Sequence, residues 1–160
     1  MGNGSKASGV IAGFVAMALA TPASAGPCHE DQVLLRGDWG QARFSIELAD
    51  DAEERAEGLM FRENLPKNAG MLFMYPEPKQ VAFWMKNTMI PLDMIFLDKT
   101  GTVKRVHSMA KPYDTSPIFG GDDILAVLEI NGGLAEALGI TEGSELQSPA
   151  FDSDLAAWPC

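Results

Sequence analysis

Glycine and proline break the chain so often between Val33 and Gln147 that no apolar pattern of helical period outlasts about two turns, so the fold must be assembled from short elements. Most of these read as strands. Residues 33–36 suit a short strand, Gly37-Asp38 supplies turn residues, and Ala42, Phe44, Ile46 and Leu48 alternate with Arg43, Ser45 and Glu47 at the period of a half-buried strand. Three apolar runs follow at 71–75, 81–85 and 92–97, which Pro76, Pro78 and Pro91 are expected to bound as separate strands. Asp98-Lys99-Thr100-Gly101 has hairpin-loop chemistry, with 102–106 as the returning strand. Residues 110–123 hold Pro112, Pro117, Gly120 and Gly121 without a clear period, which predicts the longest irregular loop and a candidate rim of a site. Residues 124–130 are a nearly continuous apolar strand, and 143–147 can be a last one. Asp50, with Glu53 three residues later, resembles a capping box for a short helix that Gly58 ends, and 134–138 reads as a second short helix closed by Gly139. The expected class is α+β, mainly β: a single domain with a mostly antiparallel sheet curled towards a barrel and two short helices.

The N-terminus has the parts of an export signal. A short polar opening carries Lys6, an apolar run covers residues 10–20, and Ala23-Ser24-Ala25 offers a small-residue site, so residues 1–25 are expected to be a signal peptide cleaved after Ala25. The apolar run is shorter than the roughly 20 residues that span a hydrocarbon core. Cys28 follows Pro27, where lipidation requires a small apolar residue, so the expected product is soluble, periplasmic or secreted, with no stable membrane insertion. Residues 26–160 suffice for one core of ordinary size and not for two. They hold 11 basic against 22 acidic residues, a formal charge of −11. That balance argues against nucleic acid and anionic lipid as partners, because both are held by clustered Lys and Arg.

The two cysteines, Cys28 and Cys160, stand near the two ends of that segment. In an oxidising compartment such a pair is expected to bond, which would close most of the chain into one loop.

Three stretches carry a family resemblance: Glu54-Arg55-Ala56-Glu57-Gly58-Leu59-Met60-Phe61-Arg62, Gly70-Met71-Leu72-Phe73, and Phe83-Trp84-Met85-Lys86-Asn87-Thr88-Met89-Ile90-Pro91-Leu92-Asp93. With Val127-Leu128-Glu129-Ile130 and Gly139-Ile140-Thr141-Glu142-Gly143, the chain resembles the family called domain of unknown function 192 from about residue 33 to residue 146. The resemblance implies a small β-rich domain, often exported, with no agreed activity. Ser144 stands where relatives more often carry Asp.

Within residues 83–96, Lys86, Asn87, Thr88 and Asp93 interrupt an apolar run. Unpaired polar groups cost about 1–3 kcal/mol when buried, so these side chains either pair internally or line a cleft. On strand alternation Trp84, Lys86 and Thr88 share a face, an aromatic beside a cation and a hydroxyl. Arg55 and Arg62 can grip a carboxylate or phosphate with two prongs, although Glu53, Glu54 and Glu57 offer them neighbouring partners. The expected ligand site therefore gathers Arg55, Arg62, Trp84, Lys86, Asn87 and Asp93 around a small polar or anionic molecule, with no cofactor. The alternative purely structural reading pairs Lys86 with Asp93 or Glu57.

Other chemistries find less support. The seven methionines of the exported segment sit in runs such as Gly-Met-Leu-Phe, where Met fills a core, and only His29 and His107 could join them, so no metal site is expected. The serines lack a nucleophile elbow, Asp98 reads as a turn residue, and Asp122-Asp123 reads as a solvated pair. Two alternatives to a binding module stay open: a hydrolase-like enzyme using Asp93, Lys86 and His107, and an envelope interaction protein without a pocket.

Overall fold

A computed structural model describes Met1, Gly2 and residues 28–160, so the expected signal peptide lies, apart from its first two residues, outside the described residues. Seven strands and two helices follow in the order β1 (Gln32–Gly37), β2 (Gly40–Ala49), α1 (Ala52–Glu57), β3 (Ala69–Phe83), β4 (Leu92–Leu97), β5 (Val103–Ala110), β6 (Ile118–Asn131), α2 (Leu134–Leu138) and β7 (Glu145–Gln147). They build one sheet in the order β5-β4-β6-β3-β2-β1-β7. Every neighbouring pair is antiparallel except β2 and β3, whose parallel pairing needs the crossover that contains α1. The sheet curls until its two edges meet. Val103 N–H donates to Ser144 O at 2.8 Å, Gly143 N–H to Val103 O at 2.9 Å and Leu146 N–H to Gly101 O at 2.8 Å, which satisfies part of two otherwise open edges. The observed class is the mainly-β single domain with two short helices that the sequence predicts.

Curling gives the sheet two buried faces. The inner core joins Val33, Leu35, Phe44, Leu72, Ile95, Leu128 and Leu146, and Ala135 of α2 packs into it. The outer core joins Leu59, Met71, Phe73, Met85, Met94, Phe96 and Val127. All six residues of β4 are buried, which is why its sequence reads as an unbroken run instead of an alternation.

Three expectations need correction. The runs at 71–75 and 81–85 are one strand: β3 continues through Pro76 and Pro78, ends at Phe83, and pairs with β6 across register shifts between Met74 and Lys79, Lys79 and Val81, and Val81 and Ala82. The prolines sit in the exposed, irregular part of the ladder, where a missing N–H costs no regular bond. The irregular loop expected over 110–123 is shorter, because β6 begins at Ile118 and its Gly120 lies against Phe96, where a Cβ would come within 2.2 Å of the ring. The helix cap is one residue later than read: Glu54 N–H donates to Asp51 Oδ1 at 2.8 Å, while Asp50 N–H donates back to Glu54 at 3.2 Å.

Cys28 and Cys160 are joined, 132 positions apart in sequence and with their Cα atoms 5.7 Å apart. The C-terminus is anchored beyond that bond. Trp158 is buried beneath the Arg36 guanidinium, 4.3 Å from the ring centroid, and Gln147 Nε2 donates to Pro159 O at 2.8 Å.

Candidate functional site

β3 ends at Phe83, so residues 84–91 form a loop and not the strand that the alternation argument assumes. Two other segments are tied to it: Phe61 N–H donates to Asn87 O at 2.8 Å, Tyr113 N–H to Thr88 O at 3.1 Å, and Met85 N–H to Asp114 O at 2.7 Å. At these junctions Phe61, Asn87 and Tyr113 take φ values of 63°, 55° and 63°, a left-handed conformation that costs non-glycine residues free energy and concentrates at sites the surrounding structure over-determines. Phe61 and Tyr113 are also exposed, as is Trp84.

Beside this loop a cleft of about 90 Å³ opens on the outer face. Arg55, Glu57, Gly58 and Met60 form one wall, Phe73, Tyr75, Phe83 and Trp84 the other, and Thr88 and Glu129 complete the lining. Gly58 is needed there twice over. Its φ is 53°, and a Cβ would lie 3.1 Å from the Phe73 ring.

Glu129 is the chemically unusual member. It lies on β6 with 4 % of its surface exposed, and lost hydration pushes its carboxyl up from the ordinary 4.5 to about 8. Among the described residues no wholly enclosed side-chain nitrogen or oxygen lacks a partner, and no donor is bonded to Glu129, so its oxygens reach the cleft surface. Tyr75 is raised too, chiefly by burial, with Arg55 opposing and Glu129 adding to the shift. Thr88, 5 % exposed, turns its hydroxyl to Lys86 O at 3.3 Å.

The six residues singled out in the sequence part company. Arg55 and Trp84 line the cleft. Arg55 Nη1 donates to Met74 O at 2.9 Å and to Asp50 O, with the guanidinium carbon 5.3 Å from the Tyr75 ring centroid. Lys86 and Asn87 are outside the lining but touch residues that form it: Lys86 Nζ lies 5.2 Å from the Trp84 ring centroid, and Asn87 Nδ2 is 3.8 Å from Met60 Sδ. Arg62 is outside the lining and bound in two-pronged fashion to Glu47, with Nη2 2.7 Å from Oε2; that bond lowers the Glu47 carboxyl below its ordinary range.

Asp93 faces the other way. It is wholly buried on the inner face, where Oδ1 accepts Met109 N–H and Gly133 N–H, each at 2.8 Å, and Oδ2 accepts Ala135 N–H at 2.7 Å. The structure does not bring Lys86 or His107 to that carboxylate; His107 lies across from Met94 in the β4–β5 ladder.

The sequence reading passed over Glu129. Its signal was available: an acidic residue inside Val127-Leu128-Glu129-Ile130 is as costly to bury as Asp93 in its own apolar run. Among the described residues no group of three or more His, Cys, Asp or Glu is placed to hold a metal ion, and no helix is long and apolar enough to cross a membrane. Met71, Met74, Met85 and Met94 are buried in the core.

Fold and cleft together define a small curled-sheet domain with a carboxyl at the base of an outer-face cleft. The chain belongs to the DUF192 family, described as an uncharacterized ACR, whose model matches residues 33–148. A crystal structure of a protein of unknown function from Novosphingobium aromaticivorans DSM 12444 is similar at 42% identity and a TM-score of 0.71, covering 78% of this chain and 93% of that one. A second, from Sinorhizobium meliloti 1021, described as a candidate transcription regulator, is similar at 33% identity and a TM-score of 0.74, covering 80% of this chain and 100% of that one. No curated protein matches the chain.

Proposed function

We propose that this protein is an exported, soluble binding module whose outer-face cleft accepts a small polar or anionic molecule. One observation carries the reading: the Glu129 carboxyl is almost wholly buried, none of the described residues donates to it, and its oxygens open only onto the cleft, where a ligand can take the place of water. The cleft is shallow and open, with about 90 Å³ of enclosed space, which suits a small ligand or the end of a larger one. Export is supported by the N-terminal pattern and by a cross-link suited to an oxidising compartment. Binding is preferred over hydrolysis because Asp93, the carboxylate a hydrolase reading would use, is held by three backbone amides out of reach of solvent. The description of the Sinorhizobium relative is not carried over to this chain, since a formal charge of −10 disfavours contact with nucleic acid.

A thermal-shift screen of small polar and anionic compounds tests the reading, run on the parent and on Trp84→Ala and Glu129→Leu. A cleft ligand raises the parent's Tm by mass action and is recovered unchanged, and the shift shrinks in both variants. Stabilising compounds that act equally on all three proteins would contradict the reading, and conversion of the ligand would replace it with an enzyme. Export is checked by intact mass of the extracytoplasmic fraction, where the chain should begin at Gly26.

A further inference from the structure

Glu129 sets the ligand's charge as well as its place. We propose that the cleft takes up a small carboxylate anion, seated between the buried Glu129 carboxyl and the Arg55 guanidinium that line it. This rests on the binding reading above and narrows it.

Three features point to an anion. The aromatic faces that would otherwise attract a ligand cation are already taken by the chain's own cations: Lys79 Nζ is 4.1 Å and the Arg55 guanidinium carbon 5.3 Å from the Tyr75 ring centroid, and Lys86 Nζ is 5.2 Å from that of Trp84. Second, Arg55 uses one terminal nitrogen for its two carbonyl bonds, which leaves its other N–H groups for an incoming oxygen. Third, a carboxyl that keeps its proton offers the donor that a carboxylate needs, and an O–H to carboxylate bond is of the strong, charge-assisted kind.

The titratable and charged groups around Glu129 are of both signs, with Arg55 favouring an anion and Glu57 opposing it. From α1 come Arg55 and Glu57, and from β3 Tyr75. β4 presents apolar Met94 opposite Glu129, and β5 places His107 beyond Met94. The loop adds Thr88, with Lys86 against the Trp84 ring outside the lining. Burial raises the Glu129 carboxyl to about 8, so the donor is present at neutral pH and is lost above that value. Affinity for a carboxylate should therefore be level below about 8 and fall roughly tenfold per pH unit above it.

NMR titrations at fixed ionic strength decide the matter, using acetate, acetamide and ethylammonium as probes near pH 6 and near pH 9, with the Thr88 and Glu129 resonances as readout. Acetate should bind more tightly than the other two near pH 6 and weaken by about tenfold near pH 9. Glu129→Gln keeps an N–H donor and loses the titration, so its acetate affinity should stay within about threefold across the same range, and unchanged amide spectra elsewhere certify its fold. Preference for ethylammonium or acetamide, or acetate binding that ignores pH in the parent, overturns the carboxylate assignment while leaving the cleft as a binding site. Failure of all three probes to shift any cleft resonance overturns both.

Discussion

Asp93 and Glu129 stand on neighbouring strands one register step apart, since Asp93 lies opposite Ile130 and Met94 opposite Glu129. Cross-strand partners share a face, so the two carboxyls point to opposite sides of the same sheet. On the inner side Asp93 meets the start of α2 and the β5 end, where three backbone N–H groups await an acceptor. On the outer side Glu129 meets aromatic rings, Arg55, which is bonded to backbone carbonyls, and an opening. Burial alone therefore says little about what a carboxyl is for; the donors available on its face decide. The first acid organises the fold, and the second opens onto the cleft with no donor from the described residues.

That contrast can be broken or sharpened by a graded series. The largest effect belongs to the disulfide: Cys28→Ser with Cys160→Ser should lower stability by up to ~4–5 kcal/mol on the chain-entropy model. It acts on the unfolded chain and touches neither acid, so denaturant midpoints should fall by a similar amount at every pH; a changed pH slope would show that the ends of the chain influence one of the carboxyls. Asp93→Asn comes next. It replaces one acceptor oxygen with a donor facing an amide, and should cost about 3–4 kcal/mol in urea unfolding near neutral pH. A loss below about 1 kcal/mol would mean that the amides find other partners.

Glu129→Gln should have the opposite sign. The Glu129 carboxyl lies higher in the folded protein than its ordinary 4.5, so the folded state keeps a proton that the unfolded chain releases. Its stabilising share is complete below about 4.5, declines as pH rises, and is gone by about 8. The Gln variant has no such decline, and should exceed the parent near pH 8 by up to about 1.4 kcal/mol for each unit by which the carboxyl is raised, with the difference vanishing near pH 4. Destabilisation near pH 8 would place Glu129 in the same class as Asp93. The smallest effect is that of Arg62→Ala, which removes the exposed bridge to Glu47 and should cost less than about 1 kcal/mol. A larger loss would make Arg62 part of the cleft wall's support.

Much of the fold was legible because local chemistry decided it. The β1–β2 hairpin, the turn at Asp98, the Gly58 and Gly139 stops and the joined cysteines follow from alternation, turn residues and pairing. The continuous β3 was not legible, since Pro76 and Pro78 normally end a strand, and only the partner β6 shows that they fall where the ladder is already irregular. The cleft was half legible. Polar residues in an apolar run flagged residues 84–93 as a place where side chains need partners, and Arg55 and Trp84 line the cleft. Whether the satisfying group is the chain's own backbone, as for Asp93, or comes from the cleft, as for Glu129, depends on which face each residue takes after folding. One sequence does not print that.

The most direct test is the titration of the Glu129 side-chain carboxyl carbon by NMR, without ligand and with saturating acetate. A midpoint near 8 in the free protein, moving upward when acetate binds, is the expected result. A midpoint close to the ordinary 4.5 that acetate leaves in place would contradict both the protonated floor and the carboxylate it is proposed to hold.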